Sequence, residues 1–311
     1  MKLFAPEYYK NFVCIADRCK HSCCVGWEID IDDVTAEKYR SLCGPYAEKI
    51  RESIESDGGG VPHFRLAENE RCPHLNASGL CNVILEYGEG LLCDICREHP
   101  RFYNDTARGV EVGLGMACEE ACRIILGSDS YANIVEIGSD GEDSEAFIDS
   151  DLETLKERAL IYSILSDSSI PYTEKLRGIY DAFSLSPALL SDSESRLLLE
   201  SLEYLDETHK ALFSCYSSDI STPRGSELFL ERALAYFVYR HFSPSLDASE
   251  RRASLCLCLF CERLLASLIK ESGLAPLDFD SVCVLARIIS EEIEYSEDNT
   301  DTIKFEFSFL L

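Results

Sequence analysis

Between Arg71 and Arg101 the chain reads RCPHLNASGLCNVILEYGEGLLCDICREHPR, with cysteines at 72, 81, 93 and 96 among turn-forming residues. Cys93 and Cys96 form a C-x-x-C, the spacing at which two thiolates reach one metal from a tight turn. An earlier knot holds Cys14, Cys19, Cys23 and Cys24, and a later one Cys118 and Cys122. A thiol also serves as a small buried hydrophobe. That accounts for Cys215, Cys256, Cys258, Cys261 and Cys283, the last four set among leucines and other apolar residues in helical patterns. It explains little of the amino-terminal set, whose neighbours are polar residues, glycine and proline. The ligands expected are therefore Cys14, Cys19, Cys23, Cys24, Cys72, Cys81, Cys93, Cys96 and Cys118, closing on a shared centre.

Four thiolates suit either Zn²⁺ or an iron–sulfur cluster. A structural zinc site usually pairs two short hooks, and only Cys93/Cys96 makes one here. Ligands scattered from residue 14 to residue 118 fit a cluster better, a 4Fe-4S cluster being expected and zinc the alternative. His21 and His74 lie within two residues of cysteines and are expected in ordinary polar roles, as is His99 before Pro100-Arg101. Arg97 and Arg101, beside Cys96, would offset the charge of a thiolate cluster or hold a ligand carboxylate.

Charge narrows the partners. A formal net charge of −27 over 311 residues argues against nucleic acid, which needs a basic face. Residues 1–127 hold 14 Lys/Arg against 21 Asp/Glu, net −7, and the remainder 15 against 35, net −20. The acidic second half suits a basic partner surface. No secretory signal is visible in MKLFAPEYYKNF, and no apolar run is long enough to span a bilayer. A cysteine-rich chain kept from export holds its thiols reduced, so a cytoplasmic location without membrane attachment is expected.

The fold expected is mainly α: an irregular cysteine-rich metal-binding region with short strands (1–127), an acidic linker (128–150) and an α-helical domain (151–311). Alternation at Trp27–Ile31 predicts a short strand, as does Pro62–Leu66 after the Gly58-Gly59-Gly60 break. Asp33 or Thr35 would cap a first helix that Gly44-Pro45 interrupts. A further helix begins near Met116, with Glu119 and Glu120 in its first turn and Gly127 at its end. Helices are predicted over 152–166, 172–184, 193–216, 226–242, 250–271 and 278–293. Pro171, Pro187, Pro223, Pro244 and Pro276 fall between them. The alternating tail Ile303–Phe309 predicts an edge strand. Gly113-Leu114-Gly115 reads as a close turn, not a nucleotide loop.

These motifs together resemble the flagellin lysine-N-methylase family, whose members are cysteine-cluster proteins with a zinc- or iron-chelating motif. The resemblance is carried by Cys14, Cys19, Cys23, Cys24 and Trp27 with the following Ile29-x-Ile31-Asp32. It continues through Arg71-Cys72-Pro73, Gly79-Leu80-Cys81, Gly88-Glu89, Leu92-Cys93, Cys96-Arg97, Pro100-Arg101 and Cys118-Glu119. Leu234–Phe242 is similar to a carboxy-terminal helix of the family. The likeness implies methyl transfer from S-adenosylmethionine to lysine ε-amines of flagellin or another protein, with a metal or iron–sulfur centre required. Such transfer needs a neutral amine and hence a base or a desolvated channel. Glu28, Asp30, Asp32, Glu89 and Glu119 are candidate bases, Glu89 in its Gly88-Glu89-Gly90 turn foremost. Trp27 would stack on the adenine or wall a cation site. The alternative is a non-catalytic zinc- or iron-binding module whose acidic helices bind a partner.

Overall fold

The computed structural model describes every residue except 57–59, 107, 140–148, 244–246, 275–276 and 311. Gly58-Gly59, Pro244, Pro276 and much of the acidic linker lie outside the described residues. The elements in chain order begin with β1 (Lys2–Pro6), α1 (Asp33–Ser41), α2 (Ala47–Glu52), β2 (Ile54–Glu55), β3 (His63–Phe64), α3 (Asn82–Tyr87) and α4 (Asp94–Glu98). Then follow β4 (Arg101–Thr106), β5 (Gly109–Leu114), α5 (Glu119–Gly127) and β6 (Ile134–Ser139). The rest is helical: α6 (Asp149–Leu165), α7 (Tyr172–Ala182), α8 (Asp192–Ser201), α9 (Glu207–Phe213), α10 (Glu227–His241), α11 (Ala248–Ser272), α12 (Phe279–Ile289), a π-helical turn Ser290–Glu294, and α13 (Glu297–Ser308). The fold is mainly α, with few and short strands, as expected.

Two compact units form, one of Val13–Arg101 and one of Met1–Phe12 with Phe102–Leu311. They are drawn differently from the 1–127 and 151–311 regions read from composition, for a topological reason. β1 pairs in parallel with β5, Leu3 opposite Val110, and antiparallel with β6, giving the sheet order β4-β5-β1-β6. The first residues and part of the 128–150 segment are thus strands of the larger unit's sheet. Gly109 lets β5 approach β1: its φ is +138°, and a Cβ there would lie 2.1 Å from the Lys2 carbonyl oxygen. Gly109→Ala is expected to cost about 3 kcal/mol or more, read as a lowered urea midpoint, because strained φ and backbone collision act together.

In the larger unit α10 is buried continuously from Leu230 to Tyr239, and α11 from Ala253 to Ile269. A helix buried on every side belongs inside a bundle, and the charges these two carry inward, Glu231, Arg232, Glu262 and Arg263, are buried with them. A capping box starts α11: Asp247 accepts from the Ser249 and Glu250 N–H groups (2.8 and 2.9 Å), and Glu250 accepts from Asp247 N–H (2.9 Å). Gly273 ends it in the left-handed region.

Several local expectations change in the structure. The 193–216 helix is two helices, because the intervening Leu205 and Asp206 N–H groups are taken by the Glu292 carboxylate (2.7 and 3.2 Å) and Glu203 N–H by Asn299 (3.0 Å). The alternating tail is helical, not an edge strand. Ser296 caps it, and Ile303 and Phe307, four apart, are buried while Phe305 and Phe309 face outward. The helix expected near Met116 starts at Glu119, since Leu114 still belongs to β5 and Cys118 is the N-cap. Gly115 is a close turn: a Cβ there would meet Tyr295 Oη at 2.1 Å and Arg240 Nη1 at 2.8 Å.

The smaller unit has its own core of Ile29, Ile31, Tyr39, Ile50, Phe64, Leu75 and Val83, joined by Cys72 and Cys93. The alternation at Trp27–Ile31 does set burial, with Ile29 and Ile31 inside. The ladder is too short for a strand: Phe64 N–H donates to Ile29 (3.0 Å) and Ile31 N–H to Pro62 (2.7 Å) around a single bridge at Asp30. Asp32, one residue before Asp33 and three before Thr35, the two caps expected, caps α1.

Candidate metal centre

Backbone hydrogen bonds in the smaller unit bring distant cysteines together. Cys72 N–H donates to the Cys24 carbonyl (2.8 Å) and Gly26 N–H to Glu70 (3.0 Å), with Val25 and Arg71 in an antiparallel bridge. The first cysteine knot is thereby laid against the start of the central stretch. That stretch turns back on itself through an Asn76 loop, whose side-chain oxygen accepts from Ser78 and Leu80 N–H (2.8 and 3.0 Å). Leu75 and Cys81 bridge as a result. Cys81 and Cys93 then occupy the positions just before α3 and α4. A helix start favours thiolate, an influence that burial outweighs at Cys81 and that the neighbouring Cys96 thiol reinforces at Cys93.

Five thiols, those of Cys24, Cys72, Cys81, Cys93 and Cys96, are near enough to act on one another electrostatically. A hydrogen bond from the Cys23 thiol lowers Cys24 to about 7, helped by Ser22 and the Arg71 guanidinium against its burial. The Cys96 thiol donates to Cys93, which lowers Cys93; that bond, with burial, pushes Cys96 up. Burial raises Cys72 to about 12 and also raises Cys81, the latter opposed by the Ile84 and Val83 N–H groups. Among the described residues no three Cys, His, Asp or Glu side chains converge in ligating geometry. Within the five, Cys93 and Cys96 form one hydrogen-bonded couple, Cys24 pairs with the neighbouring Cys23, and Cys72 and Cys81 complete a gathered donor set.

Of the other expected ligands, Cys14 is exposed, and no described contact joins it to the five. Cys19 is partly buried and donates to the His21 carbonyl (2.7 Å). Cys118 belongs to the larger unit, where Cys122 and Tyr295 feel its charge. His74 has both ring nitrogens engaged, by Tyr46 Oη (3.1 Å) and Ser53 Oγ (3.0 Å), and burial lowers it to about 4. It is a neutral core histidine. Arg97 turns to Asp94 and Glu98, and Arg101 donates to the Arg97 carbonyl (3.4 Å). The guanidinium that acts on Cys24 is that of Arg71, directly before Cys72, and not that of Arg97 or Arg101, the two expected to offset the charge of the thiolates. Trp27 is half-buried, and Glu89 is exposed on the single turn Glu89–Leu91. Asp32 has each carboxylate oxygen committed to a backbone N–H, the work of a structural anchor and not of a base. In the larger unit Cys256, Cys258, Cys261 and Cys283 are buried in the apolar core. No helix among the described residues is long and apolar enough to cross a membrane.

Comparison with known proteins adds a functional direction. Over 126 residues the chain is 27% identical to a lysine-N-methylase of Salmonella choleraesuis and 27% identical to one of Salmonella typhimurium, covering 39% of this chain and 31% of each methylase. Flagellar biosynthetic protein FliU of Salmonella muenchen is 26% identical over 126 residues, covering 39% of this chain and 75% of that protein. Most of each methylase's length is left uncovered. No family model matches the chain, and no solved structure matches it significantly. The resemblance to flagellin lysine-N-methylases read from the cysteine motifs is borne out by these distant relatives, over 39% of the chain.

Proposed function

We propose that this chain acts in methylation of protein lysines, using S-adenosylmethionine as donor and an iron–sulfur centre held by the thiols of the smaller unit. One observation carries the centre: five thiols from residues 24 to 96 are gathered in one small core, in a chain similar to lysine-N-methylases. The donor set fits a cluster in number and chemistry, since four thiolates complete one and five lie at hand. Cys24, Cys72, Cys81, Cys93 and Cys96 would hold it, with the Arg71 guanidinium offsetting part of its negative charge. Bound there, the cluster would supply electron-rich iron and sulfur held by the chain's own thiolates. The chain's own part is to gather the thiols at one apolar core that includes Tyr39 and Phe64, with Cys72 and Cys93 buried and Cys24, Cys81 and Cys96 partly so. The acceptor lysine must arrive as the free amine, because an ammonium has no lone pair to accept a methyl group. Flagellin is the substrate this reading favours, given the FliU relative, and its lysines would meet a chain of net charge −27.

Anaerobic purification tests the reading. A brown protein with iron and sulfide in stoichiometric amounts, transferring label from S-adenosylmethionine to flagellin lysines, is the expected result. Colourless protein with stoichiometric zinc and no incorporation would replace it by the zinc-binding module.

A further inference from the structure

Helix α1 touches the segment carrying Cys93 at two places, one on each side of that residue. Before it, the Tyr39 hydroxyl donates to the Leu91 carbonyl (2.6 Å). After it, Asp94 N–H donates to Asp32 Oδ2 (2.9 Å). The other Asp32 oxygen, Oδ1, accepts from Thr35 N–H (2.8 Å) and so caps α1 itself. One carboxylate thus starts two helices, α1 and α4, separated by about sixty residues of chain. Tyr39 is buried, packs on Phe64 with ring centroids 5.9 Å apart, and lies beside the thiols of Cys81, Cys93 and Cys96. Between these grips, Arg97 N–H donates to the Cys93 carbonyl (3.0 Å), closing the turn that sets Cys96 next to Cys93.

We propose that α1 is a clamp on the C-x-x-C hook, with Asp32 and Tyr39 as positioning residues that fix the Cys93 backbone so that both thiols face the same side. Its consequence for metal retention rests on the iron–sulfur reading above; its consequence for the fold of the hook does not. Neither residue is a ligand or a base here: Asp32 spends both oxygens on N–H groups, and Tyr39 spends its hydroxyl on a carbonyl. The arrangement explains why an Ile-x-Ile-Asp lies where it does. The two isoleucines anchor the segment in the core, and the aspartate emerges at the start of α4.

Asp32 separates the clamp from simple capping because its two oxygens do different things. D32N retains one acceptor oxygen, sufficient for Thr35 N–H, and presents an NH₂ group to Asp94 N–H. Y39F removes one hydroxyl and leaves the packed ring. In the full-length protein without metal, amide exchange at residues 94–98 is expected to accelerate about tenfold in either variant and more in D32N/Y39F, while exchange in α1 stays near wild type. In anaerobically reconstituted protein, iron loss to a chelator should be about 10- to 100-fold faster in the double variant, the usual effect of removing groups that orient ligands. Cys43→Ser, a change at an exposed thiol, should leave both readouts unchanged. Unaltered exchange at 94–98 in Y39F and D32N, or acceleration spread evenly over the unit, overturns the clamp. If the wild type takes up neither iron nor zinc, the metal reading falls, and the exchange measurement still decides the clamp.

Discussion

Cys93→Ser is expected to abolish the absorption that the proposed cluster would give, whereas Cys43→Ser should leave it intact. Cys93 is buried at 1% exposure, stands before α4, and is favoured as thiolate chiefly by the neighbouring Cys96 thiol. A serine hydroxyl in that place is neither a soft donor nor ionised near neutral pH, so the proposed hook would lose one of its two ligands. Cys43 is exposed, and among the described residues its sulfur reaches the Ser41 carbonyl at 3.8 Å. Bound iron in the Cys93 variant should fall by at least about tenfold, a loss that removal of a mere orienting neighbour already produces. Metal analysis with an absorption spectrum on matched samples reads it, and circular dichroism confirms that the helices persist. Full iron retention in Cys93→Ser would remove the C-x-x-C from the ligand set.

Glu111→Ala has the largest expected effect on the larger unit. Glu111 is wholly buried on β5 and receives both guanidinium nitrogens of Arg158 from α6 (2.8 and 2.5 Å), with Arg108 as a further partner. Removing it strands a buried arginine, which costs about 3–5 kcal/mol where a buried pair loses one member. For a unit of this size that lowers Tm by roughly 10 °C. Burial works to raise the Glu111 carboxyl, and the Arg158 and Arg108 guanidiniums overcome it and hold it below the usual range. The carboxyl's folded value is lower than its unfolded one. Its contribution is therefore complete above the unfolded value near 4.5 and is lost as pH falls through the depressed folded value. The acid limb of wild-type stability should accordingly be steeper than that of Glu111→Gln. Thermal melts from pH 6 down to pH 3 test this, and parallel curves would show that Glu111 does not govern that limb.

Local chemistry explains what could be read in advance. The helix over 172–184 is visible from apolar spacing after Pro171, and it forms as Tyr172–Ala182. Asp247 with Glu250 three residues on is a capping box by residue type, and it starts α11. The C-x-x-C is visible as a hook, and the thiols of Cys256, Cys258 and Cys261 as core. Elsewhere the same signals failed for a common reason: a long-range partner outbid the local pattern. Glu292 and Asn299 took the amides between α8 and α9, and burial of Ile303 with Phe307 made a helix from an alternating tail.

Sequence by itself determined that this chain carries a cysteine-rich segment ahead of a helical body, and which family it resembles, because ligand spacing, caps and breakers act over a few residues. Only the tertiary structure decided which thiols meet. Cys24 reaches Cys72 through the pairing of Val25 with Arg71, and Cys93 is held from both sides by Asp32 and Tyr39. Those contacts join residues about fifty to sixty apart. Each has a backbone N–H or carbonyl on at least one side, groups that nearly every residue carries and that spacing alone does not single out.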